Sequence, residues 1–214
     1  MNITIFGASG KIGTILTNLA LDNGETVTAY VRNPEKIKRI HDHLHIVIGD
    51  LKNQVQIEKA IESADVVVST LGPSLKRSEN RKGTAIADAH ELIIKAMEKL
   101  NKKSFVTLVT PSIHAKEDRK HFATVFPGLI ARMFLSGAYR DIVKYGSLVE
   151  KSTLDWTIVR IIVPNDKHDG KKYGISIGDK PAKISVSREN VAAFMYEVAI
   201  NHLYVGKMPI VFNQ

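Results

Sequence analysis

There is no cysteine anywhere in this sequence, and nowhere does an apolar run approach the ~20 residues that a membrane span needs. The first absence excludes a disulfide scaffold, a thiol nucleophile and any zinc or iron–sulfur site held by cysteine. The second goes with an opening Met1-Asn2-Ile3-Thr4-Ile5-Phe6 that has neither the basic nor the apolar region of a signal peptide. A soluble, cytoplasmic protein with no membrane partner is expected. Repeats, low-complexity stretches and Gly/Ser/Pro-rich linkers are missing too, and residues 1–214 suit a single domain. What is in excess is positive charge. A formal net charge of +8 leaves nucleic acid, acidic lipid and anionic small molecules open as partners.

Short β-branched runs alternate with longer amphipathic segments. The strand candidates are Asn2–Phe6, Thr26–Val31, His45–Ile48, Asp65–Ser69, Ser104–Val109 and Asp155–Val163. They are almost continuously apolar, as parallel strands covered on both faces are. Helices are expected over Lys11–Leu21, Pro34–Arg39, Gln54–Glu62, about Arg81–Lys99 and about Gly137–Lys151. In the fourth, Ile86, Ala89, His90, Ile93, Ala96, Met97 and Leu100 recur at three- and four-residue steps and mark the face that packs on a sheet. The order predicts an α/β fold with a doubly wound parallel sheet, whose ligands bind beyond the carboxyl ends of the strands. After Val163 the regularity falls away into Pro164–Gly170. Strand-like pieces then follow at Tyr173–Ile177 and Ala182–Val186, with a helix from about Arg188 to Ile200. Residues from about 164 to 214 are expected to form a small C-terminal cap on the ligand side.

Directly after the first strand stands Gly7-Ala8-Ser9-Gly10-Lys11-Ile12-Gly13, and a helix follows. Glycine allows a tight turn and close approach of a pyrophosphate, the last glycine lets helix pack on strand, and the helix N-terminus offers unpaired N–H groups. The spacing GxxGxxG, Arg32-Asn33-Pro34 closing the second strand, Gly49-Asp50 closing the third, Leu71-Gly72 after the fourth and the late Ser152–Arg160 stretch together resemble one family. That family is the atypical short-chain dehydrogenase/reductases, in their NAD(P)H-binding, NmrA-like group, and the likeness within it is to NADH-flavin reductases and biliverdin-reductase-B-type flavin reductases. It implies a Rossmann-like fold, Asp50 and Leu51 against the adenine, and Thr70, Leu71 and Gly72 lining ribose and diphosphate. Thr110 and Pro111, closing the fifth strand, are counted with the cofactor contacts.

An NAD-preferring site usually has an acid about 20 residues past the glycines, for the ribose 2′-hydroxyl. Here Arg32 stands there, followed by Asn33 and, one turn on, Lys36. A guanidinium makes charge-assisted bonds to a 2′-phosphate, so NADPH is expected over NADH, with a solvated or adenine-stacking Arg32 as the alternatives. The Tyr–Lys proton relay of short-chain dehydrogenases is missing: Tyr139 has Val143 at i+4 and Tyr145 has Val149. Hydride transfer to a flavin or quinone needs proximity and stacking, and the proton can come later from water. The expected reaction is therefore hydride transfer from NADPH to FMN, another flavin or a quinone-like acceptor, a small anionic or aromatic molecule. A non-catalytic NmrA-like dinucleotide sensor is the alternative.

Ser112 is the catalytic candidate, for the carboxamide or an acceptor oxygen, against the reading of a turn residue. The stripe Phe122, Val125/Phe126, Leu129/Ile130 and Met133/Phe134 would line the acceptor, or serve as core or dimer face. His41, His43 and His45 recur at period two without a carboxylate constellation, so no metal is expected. Four segments that follow strand ends, residues 32–39, 73–82, 112–121 and 164–172, carry net charges of +3, +3, +1 and +1 and so hold the entire excess. That placement suggests a positive funnel for phosphate-bearing ligands rather than a nucleic-acid surface, of which no helix-turn-helix or RNP signature is seen. Oligomeric state is not readable.

Overall fold

The computed structural model describes residues 1–72, 85–110, 113, 115–118, 137–167, 170 and 172–214. Its centre is an eight-stranded sheet. The strands are β1 (Asn2–Phe6), β2 (Thr26–Val31), β3 (Leu44–Ile48), β4 (Val66–Ser69), β5 (Ser104–Val109) and β6 (Asp155–Arg160), with β8 (Tyr173–Ser176) and β10 (Ile210–Asn213). They run in the order β3-β2-β1-β4-β5-β6-β10-β8. Every neighbouring pair is parallel except the last, where β8 lies antiparallel to β10. A separate two-stranded ribbon pairs β7 (Val163–Asn165) with β9 (Ser185–Ser187). Strand order reverses between β1 and β4, the switch point where doubly wound sheets bind their ligands. No helix among the described residues is long and apolar enough to cross a membrane.

Helices cover both faces. On one lie α2 (Gln54–Ile61), α3 (Ala85–Lys99) and α4 (Gly137–Lys151), whose Ile57, Ile61, Ile93, Met97, Tyr145 and Val149 pack with Phe6, Val67 and Phe105 of the sheet. On the other, α1 (Lys11–Asp22) and α5 (Arg188–Asn201) pack side by side over Ile3, Ile5, Val68, Val106 and Val159. This two-sided cover is why β1, β2, β4 and β5 are apolar along almost their whole length. As an edge strand, β3 leaves Ile46 and Ile48 exposed.

Three departures from the sequence pattern have local causes. Where a helix is expected over Pro34–Arg39, only a 3₁₀ turn, Pro34–Lys36, forms. Asn33 caps it by accepting from Glu35 N at 2.9 Å, and the backbone at Ile37 is already extended, so Ile37 packs inward instead of continuing the turn. The run Asp155–Val163 is two strands: β6 ends at Arg160, Ile161 N makes a bond to Val109 O at 2.9 Å, and the chain then leaves for the ribbon. The strand Ile210–Asn213 is not anticipated. It inserts between β6 and β8, so α5 and β10 build into the main fold, while the ribbon follows the carboxyl end of β6. The expected start of α3 at Arg81, and the stripe Phe122–Phe134, lie outside the described residues.

Candidate functional site

The glycine segment folds as a turn that admits no side chain at two of its positions. Gly7 has φ +83°, a conformation that favours glycine, and a Cβ there would stand 2.7 Å from Thr70 Oγ1. A Cβ on Gly13 would stand 2.1 Å from Gly7 O. Gly7 O itself accepts from Gly10 N at 2.8 Å and from Thr70 Oγ1 at 3.1 Å, which ties the loop to the end of β4. Thr14 Oγ1 donates back to Ala8 O at 3.1 Å. Gly10 is the N-cap of α1 and supplies no side-chain acceptor, and the first turn carries no acid. The helix thus starts with N–H groups that no side chain caps and with no acid of its own in the first turn. A turn closed to a Cβ at Gly7 and Gly13, with an uncapped helix start, fits a phosphate of a dinucleotide.

The other sequence candidates lie around this turn. Arg32 and Asn33 follow β2 and are exposed. Lys36 lines a groove of about 290 Å³ whose opposite wall includes Ala8 and Thr14 of the glycine segment, with Lys38 and Arg39 alongside. Asp50 closes β3 with its carboxylate accepting from Lys52 N at 2.8 Å, while its carbonyl accepts from Tyr30 Oη at 2.7 Å. Burial and the nearby Asp50 charge push the Tyr30 hydroxyl up to about 12. Leu51 packs toward the core beside it. His41 and His43 meet edge-on, and no three metal-ligating side chains gather among the described residues. Pro111, Ser112 and the basic stretch 73–82 lie outside the described residues.

Beyond Leu71 and Gly72 at the end of β4, an apolar cavity of about 100 Å³ opens. Its walls include Val109 and Thr110 of the β5 end, Ile86 of α3, and Ile142 and Tyr145 of α4. Tyr145 is fully buried, its hydroxyl has no partner among the described residues, and burial pushes it well above the usual phenol range. Sequence reasoning considers Tyr145 only for a lysine four residues on and so misses its place in this wall. The helices that form the wall are locked together by Asp141 of α4, which is buried and accepts from Ile86 N at 3.1 Å and Ala87 N at 2.7 Å, at the start of α3.

Behind the wall stands His90. Its Nδ1 lies 2.7 Å from Ile86 O, which can only accept, so Nδ1 carries the proton and Nε2 accepts from Ser69 Oγ at 2.8 Å. Ser69 Oγ in turn accepts from Leu71 N at 3.4 Å, and the imidazole stacks on Tyr145 at 3.8 Å. Burial holds His90 down at about 4, so it is neutral at physiological pH. Between pH 6.5 and about 4 the folded chain binds fewer protons here than the unfolded one, so stability falls as pH falls through that window, by up to about 3 kcal/mol. Urea midpoints from pH 7 to pH 4 should show this loss in the wild type and not in His90→Gln; a slope unchanged by the substitution would assign the loss to other groups.

Comparison with known proteins places these features in a family. The NAD(P)H-binding family model matches residues 7–202. The protein YMR090W of Saccharomyces cerevisiae is 28% identical over 209 residues, 92% of this chain and 86% of that protein. The isoflavone reductase homolog A622 of Nicotiana tabacum is 37% identical over 79 residues, a third of this chain (33%) and 26% of its own length. Among solved structures, a short-chain dehydrogenase/reductase from Veillonella parvula in complex with NADP superposes with a TM-score of 0.77 at 20% identity, over 99% of this chain and 94% of that one. ChuY of Escherichia coli O157:H7, described as an anaerobilin reductase, gives 0.77 at 20% identity over 100% and 97%. At that identity the structures speak for the fold, and the family match, which spans the glycine cradle and both sheet halves, speaks for more: this chain belongs to the NAD(P)H-binding family.

Proposed function

We propose that the chain is an NADPH-dependent reductase that passes hydride to a flavin or quinone-like acceptor without a Tyr–Lys proton relay. The observation that carries the reading is the adjacency of the glycine cradle and an apolar cavity, joined through Thr70, Leu71 and Gly72. Gly7, Gly10 and Gly13 with the start of α1 would hold the diphosphate, and Arg32 and Lys36 the 2′-phosphate. Bound NADPH supplies a hydride. The chain's own share is to bind and orient: the apolar walls would stack against one face of a planar ring, which makes proximity rather than proton transfer the source of rate. No tyrosine here has the lysine partner that would lower its pKa, and burial keeps Tyr145 protonated.

Mixing the protein with NADPH and either FMN or a quinone, and following the nicotinamide absorbance, tests the reading. Acceptor-dependent oxidation is the expected result. Tight NADPH binding with no turnover would replace the reductase by a dinucleotide sensor. Arg32→Glu is expected to weaken NADPH on the order of ten- to a hundredfold while sparing NADH, because a carboxylate repels the 2′-phosphate and returns the acid that a ribose hydroxyl prefers. Equal losses for both would remove Arg32 from the 2′-phosphate site.

A further inference from the structure

One ion cluster joins the glycine cradle to a residue nearly the whole chain away. Lys11, the first residue of α1, donates to Asp166 Oδ2 at 2.8 Å. Arg188, the first residue of α5, donates through a guanidinium N–H to the other oxygen of the same carboxylate. The two helices lie side by side, and both begin at the carboxyl edge of the sheet. For α1 this follows from β1, which it leaves. For α5 it follows from its far end, where the residues just past the helix meet the amino ends of β5 and β6: Ser104 Oγ lies 3.3 Å from His202 Nδ1, and Thr157 Oγ1 donates to Leu203 O at 2.9 Å. Two cations at the starts of two helices therefore converge on the Asp166 carboxylate beside the cradle. The start of α5 is itself capped by Ser187 Oγ, which accepts from Asn190 N at 3.1 Å, and carries Glu189 in its first turn, so the positive charge comes from the Lys11 and Arg188 side chains.

The three side chains are not equivalent. That of Arg188 is 19% exposed and set into the surface, whereas those of Asp166 and Lys11 are 62% and 67% exposed. Lys11, and with it Arg188, holds the Asp166 carboxyl below the usual carboxylate range, which reports a positive site. An exposed ion pair contributes little to folding, so giving it up costs the fold little. A fixed guanidinium fork beside an ammonium matches a phosphate better than a single carboxylate, because phosphate offers more oxygens and more charge.

We infer that Lys11 and Arg188 form a clamp for a ligand phosphate, for which Asp166 competes as an internal anion. The inference rests on the dinucleotide-reductase reading for the identity of the ligand, and two sources share the chemistry: the diphosphate of NADPH and the phosphate monoester of an acceptor such as FMN. Asp166 lies just past β7, so the ribbon's outgoing end is tied to the cradle when the carboxylate holds the clamp and let go when a phosphate takes it.

Calorimetric titration of the full chain with NADPH and with inorganic pyrophosphate, at low and high salt, separates the possibilities. Arg188→Gln is expected to weaken pyrophosphate about tenfold. Asp166→Asn is expected to tighten it severalfold, and both effects should shrink at high salt. A parallel change in NADPH affinity assigns the clamp to the dinucleotide. A raised KM for FMN with riboflavin unchanged assigns it to the acceptor. Thermal unfolding of both variants within a few degrees of wild type shows that the fold is not the cause. The inference is overturned if Asp166→Asn leaves pyrophosphate binding unchanged or weakens it, or if Arg188→Gln moves neither ligand. Wild-type protein that binds NADPH but never oxidises it would defeat the reductase reading alone, since the pyrophosphate titration decides the clamp without turnover.

Discussion

Gly13→Ala is expected to lower NADPH affinity by at least a hundredfold and to destabilise the fold by about 2 kcal/mol. The added methyl carbon would stand 2.1 Å from Gly7 O, 2.8 Å from Gly7 C and 2.8 Å from Thr70 Oγ1. The first two are backbone atoms, and Gly7 O is already committed to Gly10 N and Thr70 Oγ1, so the strain cannot be released by a rotamer. It must be relieved by moving the start of α1 away from β1, which spreads the cradle proposed to hold the diphosphate. Misplacement of about an ångström is enough for a large loss in a site of this kind. Gly24→Ala separates the two effects. Gly24 has φ +83° with nothing within 4 Å of its would-be Cβ, on the turn after α1. It should cost about 1 kcal/mol of folding free energy through backbone strain and leave NADPH affinity unchanged. Denaturant midpoints and ligand titration on both variants make the comparison. Equal affinity of Gly13→Ala and wild type would mean that the cradle tolerates a side chain and that dinucleotide binding does not use it.

The cradle was legible because its cause is local. Glycines at positions 7, 10 and 13 between a strand and a helix are a requirement of one turn and of the close approach of Gly13 to Gly7, and both sit within seven residues. The parallel sheet was legible for a similar reason: strands buried on both faces must be apolar at consecutive positions, as in Val66-Val67-Val68, and helices between them show their one buried face. What periodicity cannot report is a partner far along the chain. The apolar cavity takes walls from β5, α3 and α4, and nothing in the local pattern around Ile86 or Ile142 distinguishes a cavity wall from ordinary core. The buried carboxylate of Asp141 reads as a solvated helix residue until α3 is placed against it. The pattern Ile210-Val211-Phe212 is apolar and β-rich, a signal that could have been read as the strand it forms. The helix expected over Pro34–Arg39 shows the opposite error. Proline and a capping asparagine start a turn, but one side-chain cap does not sustain a helix when Ile37 has a core to enter.

Arg160→Met is expected to cost about 3–5 kcal/mol, among the largest effects of any single substitution in this chain. Arg160 ends β6 and its side chain is 1% exposed. Its two terminal nitrogens donate to the two oxygens of Asp118 at 2.6 and 2.8 Å, Nε donates to Met208 O at 2.8 Å, and one terminal nitrogen also reaches Ile113 O at 3.3 Å. Removing the guanidinium takes two charge-assisted hydrogen bonds from a mostly buried carboxylate and one donor from each of two backbone carbonyls. The paired substitution Arg160→Met with Asp118→Leu should recover part of the loss, because exchanging both charges for apolar groups removes the desolvation penalty along with the attraction. It should not recover all of it, since Asp118 also accepts from Ala115 N at 2.9 Å and Met208 O still loses its Arg160 donor. The consequence reaches the site through position. Arg160 ties Ile113 and Asp118, which follow the cavity walls Val109 and Thr110 in sequence, to Met208 at the approach to β10. On the proposed function, Arg160→Met is therefore expected to slow acceptor reduction more than it weakens NADPH, because the glycine cradle is on the other side of β4. Urea unfolding of the two single variants and the double variant measures the coupling. Additive costs would show that the carboxylate gains nothing from the arginine, and that the packing of Ile113 against Gly146 holds the segment instead.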